Sequence, residues 1–276
     1  MKNDVLILGK GVVGTRLQKE FDCPISAKKI QTFADVFSII EQHKPKVVIN
    51  CIGHTGENNV DDCEKVLDKT MTANTFVPIL LGEAALRQGF KLVHLSSGCI
   101  YYYNYGKQKP IPETRVPDYY RLYYSRTKLY IEHILDEMAK KDKRANILIP
   151  RVRVPLDNRP YKKNVLTKLI QYKRIIDVPN SVTYMPDFVK ALKFLIKKDA
   201  KGIYNVVNKH GLKYSRLMKI YKKYVPEFEY EIIKLKQLNL DRTNLILSTK
   251  KLEETGFKVR SIDEVLEECV KEYVKY

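Results

Sequence analysis

The chain has 276 residues, 44% of them hydrophobic and 30% charged, with 12 glycines and 12 prolines. This composition suits a folded α/β domain or a domain with a smaller lobe, and it excludes a disordered chain. The net charge is +18, but residues 1–150 carry 22 basic and 17 acidic side chains (+5) and residues 151–276 carry 28 and 15 (+13).

The excess is scattered lysine with acids between, without an arginine-rich arm or an aromatic RNA-binding pattern, so nucleic acid is not the expected partner. Such a field suits an anionic small molecule. No apolar run approaches the roughly 18 residues of a membrane span. The apolar stretch in MKNDVLILGK is too short for a signal peptide, so a cytoplasmic protein is expected. The five cysteines (Cys23, Cys51, Cys63, Cys99, Cys269) and five histidines show no ligand spacing, so neither a disulfide framework nor a metal is expected.

In chain order, Asp4–Leu8 reads as a buried strand ending at glycine, and Val12–Phe21 as a helix. Cys23–Ala27 is a candidate second strand. Phe33–Lys44 has helical spacing with Val36, Ile39 and Ile40 on one face, and Pro45 ends it. Lys46–Ile52 is the next strand. Asn74–Arg87 is an amphipathic helix closed by Gly89, and Lys91–Leu95 a strand. Tyr124–Lys140 is a helix expected to bury Ile131, Ile134, Leu135 and Met138, and Asn146–Val152 is a strand. Beyond it, Val165–Tyr172, Pro186–Lys198 and a segment from Ser261 read as helices, and Gly202–Val207 as a strand.

Strand and helix alternate, the signature of a doubly wound parallel sheet. The expected fold is α/β and Rossmann-type. Residues 1–150 form the core, and residues 151–276 form a small mixed α/β C-terminal lobe partly interleaved with it.

Gly9-Lys10-Gly11-Val12-Val13-Gly14 follows a strand and opens a helix, the context that makes GxGxxG a dinucleotide site. Gly9 permits the tight turn, Gly11 clears space for a pyrophosphate, and Gly14 lets helix and strand approach. The helix N-terminus adds N–H groups and partial positive charge. Where an acid would bind the ribose of NAD, the second strand is followed by Ser26, Ala27, Lys28 and Lys29. These lysines suit a 2′-phosphate, so NADPH is favoured over NADH.

Tyr124-Ser-Arg-Thr-Lys128 places tyrosine and lysine on one helical face, where an ammonium favours the phenolate and tunes the tyrosine as a proton donor. Ser96-Ser97-Gly98-Cys99 follows the strand Lys91–Leu95 at its carboxyl end, where open α/β sheets place their chemistry.

Together these motifs resemble the extended short-chain dehydrogenase/reductase family. Several strings resemble the nucleotide-rhamnose synthase/epimerase-reductase group, relatives of dTDP-4-dehydrorhamnose reductase. They are Thr55-Gly56 with Asn59-Val60-Asp61 and Cys63-Glu64; Gly98-Cys99-Ile100; Arg151-Val152-Arg153; Thr167-Lys168; Asp177-Val178-Pro179-Asn180-Ser181; and Gly202-Ile203-Tyr204-Asn205.

The resemblance implies conversion of UDP-4-keto-6-deoxy-D-glucose to UDP-β-L-rhamnose, by 3,5-epimerisation and then NADPH-dependent 4-reduction. It implies Cys99 and Lys168 as the epimerisation acid and base, Tyr124 as proton donor to O4, Ser97 on the carbonyl, and Lys128 on the nicotinamide ribose. It adds Cys51, Gly53 and Asn74 to the cofactor contacts. It assigns Thr55, Asn59, Asn164, Arg242 and Asn244 to the nucleotide sugar, which residues 151–276 mainly bind.

Asp241 and Leu247-Ser248 depart from the family pattern beside Arg242-Thr-Asn244. The resemblance also implies a homodimer paired through the helices Asn74–Arg87 and Tyr124–Lys140. A reductase without epimerase activity and a non-catalytic NADP-binding subunit remain alternatives.

Overall fold

The structure is a computed structural model that describes residues 4–104, 108–234, 237 and 244–276. Its backbone contacts divide the chain into two units interleaved in sequence. The first comprises residues 1–100, 119–151 and 195–204, and the second comprises residues 101–118, 152–194 and 205–276.

The first unit is built on β1 (Val5–Leu8), α1 (Val12–Phe21), β2 (Ile25–Ser26), α2 (Phe33–His43) and β3 (Val47–Asn50). A 3₁₀ turn at Val60–Lys65 follows, then α3 (Leu67–Met71), a π turn at Thr72–Phe76 and α4 (Val77–Gln88). β4 (Lys91–His94), β5 (Ser96–Ser97), α5 (Tyr123–Lys141), β6 (Ile147–Val152) and, later, β10 (Gly202–Asn205) complete the seven-stranded sheet. Its order is β10-β6-β4-β3-β1-β2, with β5 paired to β6. β1 pairs in parallel with β2 and β3, β3 with β4, and β4 with β6.

The chain therefore winds outward from β1 in one direction and from β3 in the other. The carboxyl ends of these two strands flank the switch point where such sheets bind ligands. This is the expected doubly wound, Rossmann-type sheet. Strands buried on both faces need continuous apolar runs, and Val5–Leu8 and Val48–Ile49 are all almost wholly buried. Leu6, Val48, Leu92 and Ile147 join Val36, Ile39, Leu81, Ile131 and Leu135 in one core.

Helix ends follow local chemistry. Thr32 caps α2 while the Asp35 carboxylate accepts from the Thr32 N–H, a reciprocal capping box. Gly89 closes α4 in the left-handed region at φ 75°.

Two expectations are corrected. The helix expected to start at Asn74 begins at Leu67 and carries a π turn across Asn74. The polar stretch 67–74 hides the start because its turns are held by neighbours rather than by an apolar stripe. Ile134, expected in the core, is 39% exposed, whereas Ile131 and Leu135 are fully buried.

The second unit holds β7 (Pro155–Leu156), α6 (Val165–Tyr172), β8 (Arg174–Ile176), β9 (Thr183–Tyr184) and α7 (Met185–Lys197), the last running into the first unit. It also holds α8 (Tyr214–Tyr224), β11 (Glu231–Ile233), α9 (Lys250–Glu254) and α10 (Ile262–Tyr273). β7 pairs with β9, and β8 with β11, both in parallel. Leu166, Tyr184, Leu217, Met218, Leu266 and Cys269 form its core. Ser261 caps α10 reciprocally with Glu264.

The corrected face of α5 is open to test. Leu135→Ala should cost about 3 kcal/mol of unfolding free energy. Ile134→Ala should cost under about 1 kcal/mol. Urea denaturation of both variants checks this.

Candidate active site

The glycine loop leaves β1 with Gly9 at φ 97°, and a side chain there would meet the Ile52 N at 2.9 Å. A Cβ on Gly14 would lie 1.9 Å from the Gly9 carbonyl oxygen, so α1 touches the loop backbone. A Cβ on Gly11 would meet nothing within 4 Å. Gly11 is also the N-cap of α1, and no side chain caps that end. Open space over unsatisfied helix N–H groups fits a pyrophosphate. Val12 and Lys10 stand on the exposed side of this turn and Val13 is half-buried.

At the end of β2, Lys28 and Lys29 are exposed; the Lys28 Nζ donates to Ser38 Oγ at 3.2 Å. No acid lies between residues 23 and 34. The next carboxylate, Asp35, accepts from the backbone of Gln31 and Thr32 at 2.9 Å each, and these bonds hold it below the usual carboxylate range. It is committed to capping α2 and leaves the lysines as the local charge.

Tyr124 and Lys128 lie one turn apart in α5, both nearly buried. The Lys128 ammonium donates to the Leu95 carbonyl at 3.0 Å. Burial pushes it down to about 8, against a smaller opposing effect of Glu132 and Cys51. Burial also pushes the Cys51 thiol up to about 12. Gly53 adjoins this ammonium: a Cβ there would lie 3.8 Å from Nζ.

Ser97 Oγ accepts the Cys99 N–H at 3.2 Å, so its own hydroxyl proton remains for another acceptor. Ser125 Oγ donates to the Cys99 carbonyl at 2.6 Å, tying the Ser97–Cys99 turn to the helix of Tyr124.

The start of α5 has no side-chain cap from Leu122. Glu64 supplies one from the 3₁₀ turn, accepting the Tyr123 N–H at 2.5 Å. Sequence reasoning gave Cys63-Glu64 only as part of a resemblance; its partner lies 59 residues away, beyond any local pattern.

Three residues expected to contact ligands also hold the scaffold. Asn74 is fully buried and its amide is committed. Oδ1 accepts the His54 N–H at 2.7 Å, and Nδ2 donates to the His54 carbonyl at 2.9 Å and to Thr127 Oγ1 at 3.2 Å. With both amide protons used, Asn74 has none for a cofactor. It pins the loop after β3, on which Thr55 also lies, to α5. Asn59 Oδ1 caps the 3₁₀ turn through Asp61 N at 2.8 Å. In the second unit, Asn164 is fully buried; its amide donates to the carbonyls of Asp157 and Arg159 and its oxygen accepts from Leu166, capping α6. Neither amide proton is left for a substrate.

Lys168 sits on α6, its N–H on the Asn164 carbonyl. Asn244 is 9% exposed and its Nδ2 lacks a partner among the described residues, a donor suited to a ligand. Arg242 lies outside the described residues.

Residues 3–173 match the NAD dependent epimerase/dehydratase family. The chain belongs to that family. Its membership bears out the resemblance read from the glycine loop and YxxxK motif, and the reading of the chain as an enzyme. A bifunctional dTDP-4-dehydrorhamnose 3,5-epimerase/dTDP-4-dehydrorhamnose reductase of Arabidopsis thaliana is 27% identical over 248 residues, 86% of this chain and 80% of that protein. A trifunctional UDP-glucose 4,6-dehydratase/UDP-4-keto-6-deoxy-D-glucose 3,5-epimerase/UDP-4-keto-L-rhamnose-reductase of the same plant is also 27% identical, and the chain covers 36% of that longer protein.

Among solved structures, a UDP-rhamnose synthase from Acanthamoeba polyphaga mimivirus has a TM-score of 0.88 at 22% identity, covering 97% of this chain and 98% of that one. The dTDP-4-dehydrorhamnose reductase of Bacillus anthracis in complex with NADP has a TM-score of 0.80 at 21% identity, covering 100% and 99%. At these identities the structural likeness establishes the fold.

For this family member, the described residues contain no group of three or more His, Cys, Asp or Glu side chains able to hold a metal ion. No described helix is long and apolar enough to cross a membrane.

The buried ammonium has a consequence for stability. Lys128 titrates at about 8 in the fold against 10.5 for the ordinary side chain, so the unfolded chain binds more protons between those pH values. Stability therefore rises with pH across that window. The gap amounts to about 3 kcal/mol against the charged fold at neutral pH. Lys128→Met should be more stable than wild type at pH 7 by about 2 kcal/mol, an advantage that shrinks by pH 10. Urea denaturation at both pH values checks this.

Proposed function

We propose that this chain is a bifunctional 3,5-epimerase/4-reductase that converts UDP-4-keto-6-deoxy-D-glucose to UDP-β-L-rhamnose with NADPH. The observation that carries the reading is the tie between Ser97, Cys99 and the Tyr124–Lys128 helix through Ser125. One backbone turn presents groups suited to two reactions at a ketone. The matched relatives, with activities of this kind in their names, support it.

The residues act as follows. The 4-keto group acidifies the C3 and C5 protons because the carbanion delocalises onto oxygen. Cys99 and Lys168 remove each proton and return one to the opposite face. Ser97, its oxygen occupied by the Cys99 N–H, donates its hydroxyl proton to O4 and fixes the carbonyl. Lys128 holds a ribose hydroxyl and lowers the proton affinity of Tyr124. When bound, NADPH supplies the hydride for C4. Tyr124 then donates its phenolic proton to O4.

The glycine loop holds the pyrophosphate on α1, Lys28 and Lys29 face the 2′-phosphate, and Asn244 with Arg242 contacts the nucleotide sugar. The catalytic and binding roles, the UDP form and the homodimer belong to this proposal. The homodimer reading is supported by a groove of about 430 Å³ lined by Leu67, Met71, Tyr123, Arg126 and Tyr130. Leu67, Met71 and Tyr130 are each about half exposed there, apolar area of the kind that subunit association covers.

The test is incubation with UDP-4-keto-6-deoxy-D-glucose in D2O, with and without NADPH, followed by NMR. Deuterium should enter C3 and C5 without NADPH, and NADPH should then yield UDP-L-rhamnose. Cys99→Ala should lose the exchange and keep NADPH binding. Tyr124→Phe should keep exchange and lose reduction by about 100-fold. Reduction only of a substrate already epimerised, with exchange absent, would favour a single-function reductase. NADPH binding with no reaction of either kind would favour a non-catalytic subunit. Lys28→Ala with Lys29→Ala should weaken NADPH by about tenfold and leave NADH unchanged.

A further inference from the structure

Behind the site lies an ion pair that the proposed chemistry does not use. Arg151 and Glu132 have side-chain exposures of 1% and 2%. Arg151 Nη2 donates to Glu132 Oε1 at 2.6 Å and Nε donates to Oε2 at 2.9 Å. Ser96 Oγ donates to the same Oε2 at 2.6 Å. A pair so deeply buried gains little stability over well-packed apolar residues, because desolvation offsets the attraction. Stability alone gives no reason for charge here.

Its position does. Glu132 stands one helical turn after Lys128, on the same face of α5. Lys128 holds the Leu95 carbonyl, Glu132 holds Ser96, and Ser97 is the next residue.

We infer that Glu132 and Arg151 are positioning residues for the reductase centre: Glu132 keeps Lys128 charged and Ser97 in register, and Arg151 keeps Glu132 in place. The inference rests on the proposed reductase chemistry for its consequence, though not for its geometry.

The other groups around Lys128 leave it without a second counter-charge among the described residues. Cys51, after β3, is neutral because burial pushes its thiol up to about 12. His94, at the end of β4, is neutral because burial and the Lys128 charge push it well below its ordinary value. Tyr124 shares the helix face and is the proposed proton donor, and Arg151 on β6 is cationic. Among the described residues Glu132 is the carboxylate that opposes the loss of the Lys128 proton, ahead of a smaller effect of Cys51.

On this inference Glu132 acts on Lys128 directly, and Arg151 acts with the opposite sign by neutralising Glu132. The test titrates Lys128 by NMR of enzyme carrying 13Cε-lysine, with Lys128→Met assigning the signal. Glu132→Gln should move the titration to lower pH by about one unit. Arg151→Met, which leaves Glu132 without its partner cation, should move it to higher pH. The alkaline limb of kcat/KM for NADPH-dependent reduction should follow in the same directions, with KM for the nucleotide sugar within about twofold of wild type.

A purely structural pair lowers kcat in both variants and leaves the titration in place, or moves both the same way; either result overturns the inference. Should a single variant not fold, Glu132→Gln with Arg151→Met removes both charges. Its titration is expected below wild type because Glu132 acts on Lys128 directly, and coincidence with wild type overturns the inference. Opposite NMR shifts in an enzyme that reduces no nucleotide sugar would uphold the coupling and sink the proposed reaction instead.

Discussion

Burying the Lys128 ammonium at the carboxyl ends of parallel strands is unfavourable, and the first unit is organised around that constraint. The ammonium requires an acceptor, and the Leu95 carbonyl at the end of β4 provides it. It requires a counter-charge, and Glu132 one turn on provides it. Glu132, itself buried, requires partners, which arrive from β6 as Arg151 and from β5 as Ser96. One buried charge thus ties a helix to three strands. The fold gives up stability at this place, as active sites commonly do.

A second theme is the use of side-chain amides and carboxylates as substitutes for local backbone pairing. Asn74 sits in a π turn, where the helical ladder is interrupted, and satisfies the His54 backbone on both sides. π turns recur at functional sites because they allow a helix to bulge toward a neighbour. Asn164 does comparable work for the loop before α6, and Glu64 caps the start of α5 from a distant turn. These residues set the positions of the elements they join, and Asn74 and Asn164 spend both amide protons in doing so.

The glycine loop shows the complementary situation. Gly11 leaves open space and α1 leaves its first N–H groups without a side-chain cap. The family to which the chain belongs takes a dinucleotide, and this is the part of the fold with room and polarity for its phosphates. The lysines after β2, with Asp35 withdrawn into a helix cap, give the adjoining surface a positive character.

The sequence by itself determined the alternation of strand and helix, the glycine loop and the Tyr124–Lys128 spacing. These are local patterns: apolar period, turn residues, and residues four apart on one helix. The bounds of α1 and α6 were legible to the residue for that reason. Where the sequence reading failed, the deciding contact was distant. α3 starts before its apolar stripe, and Ile134 turns outward because Ile131 and Leu135 already face the core. The cysteine, serine and lysine were visible as residue types, but only the tertiary structure showed that Ser97 accepts from Cys99 and that Ser125 holds the turn. Only it showed that Asn74 and Asn164 have no amide proton to offer, and that Arg151 and Ser96 converge on Glu132. Hydrogen-bond capacity is a global property. A side chain's spacing along the chain records where it can reach, and the packed fold decides which of its partners has already taken the proton.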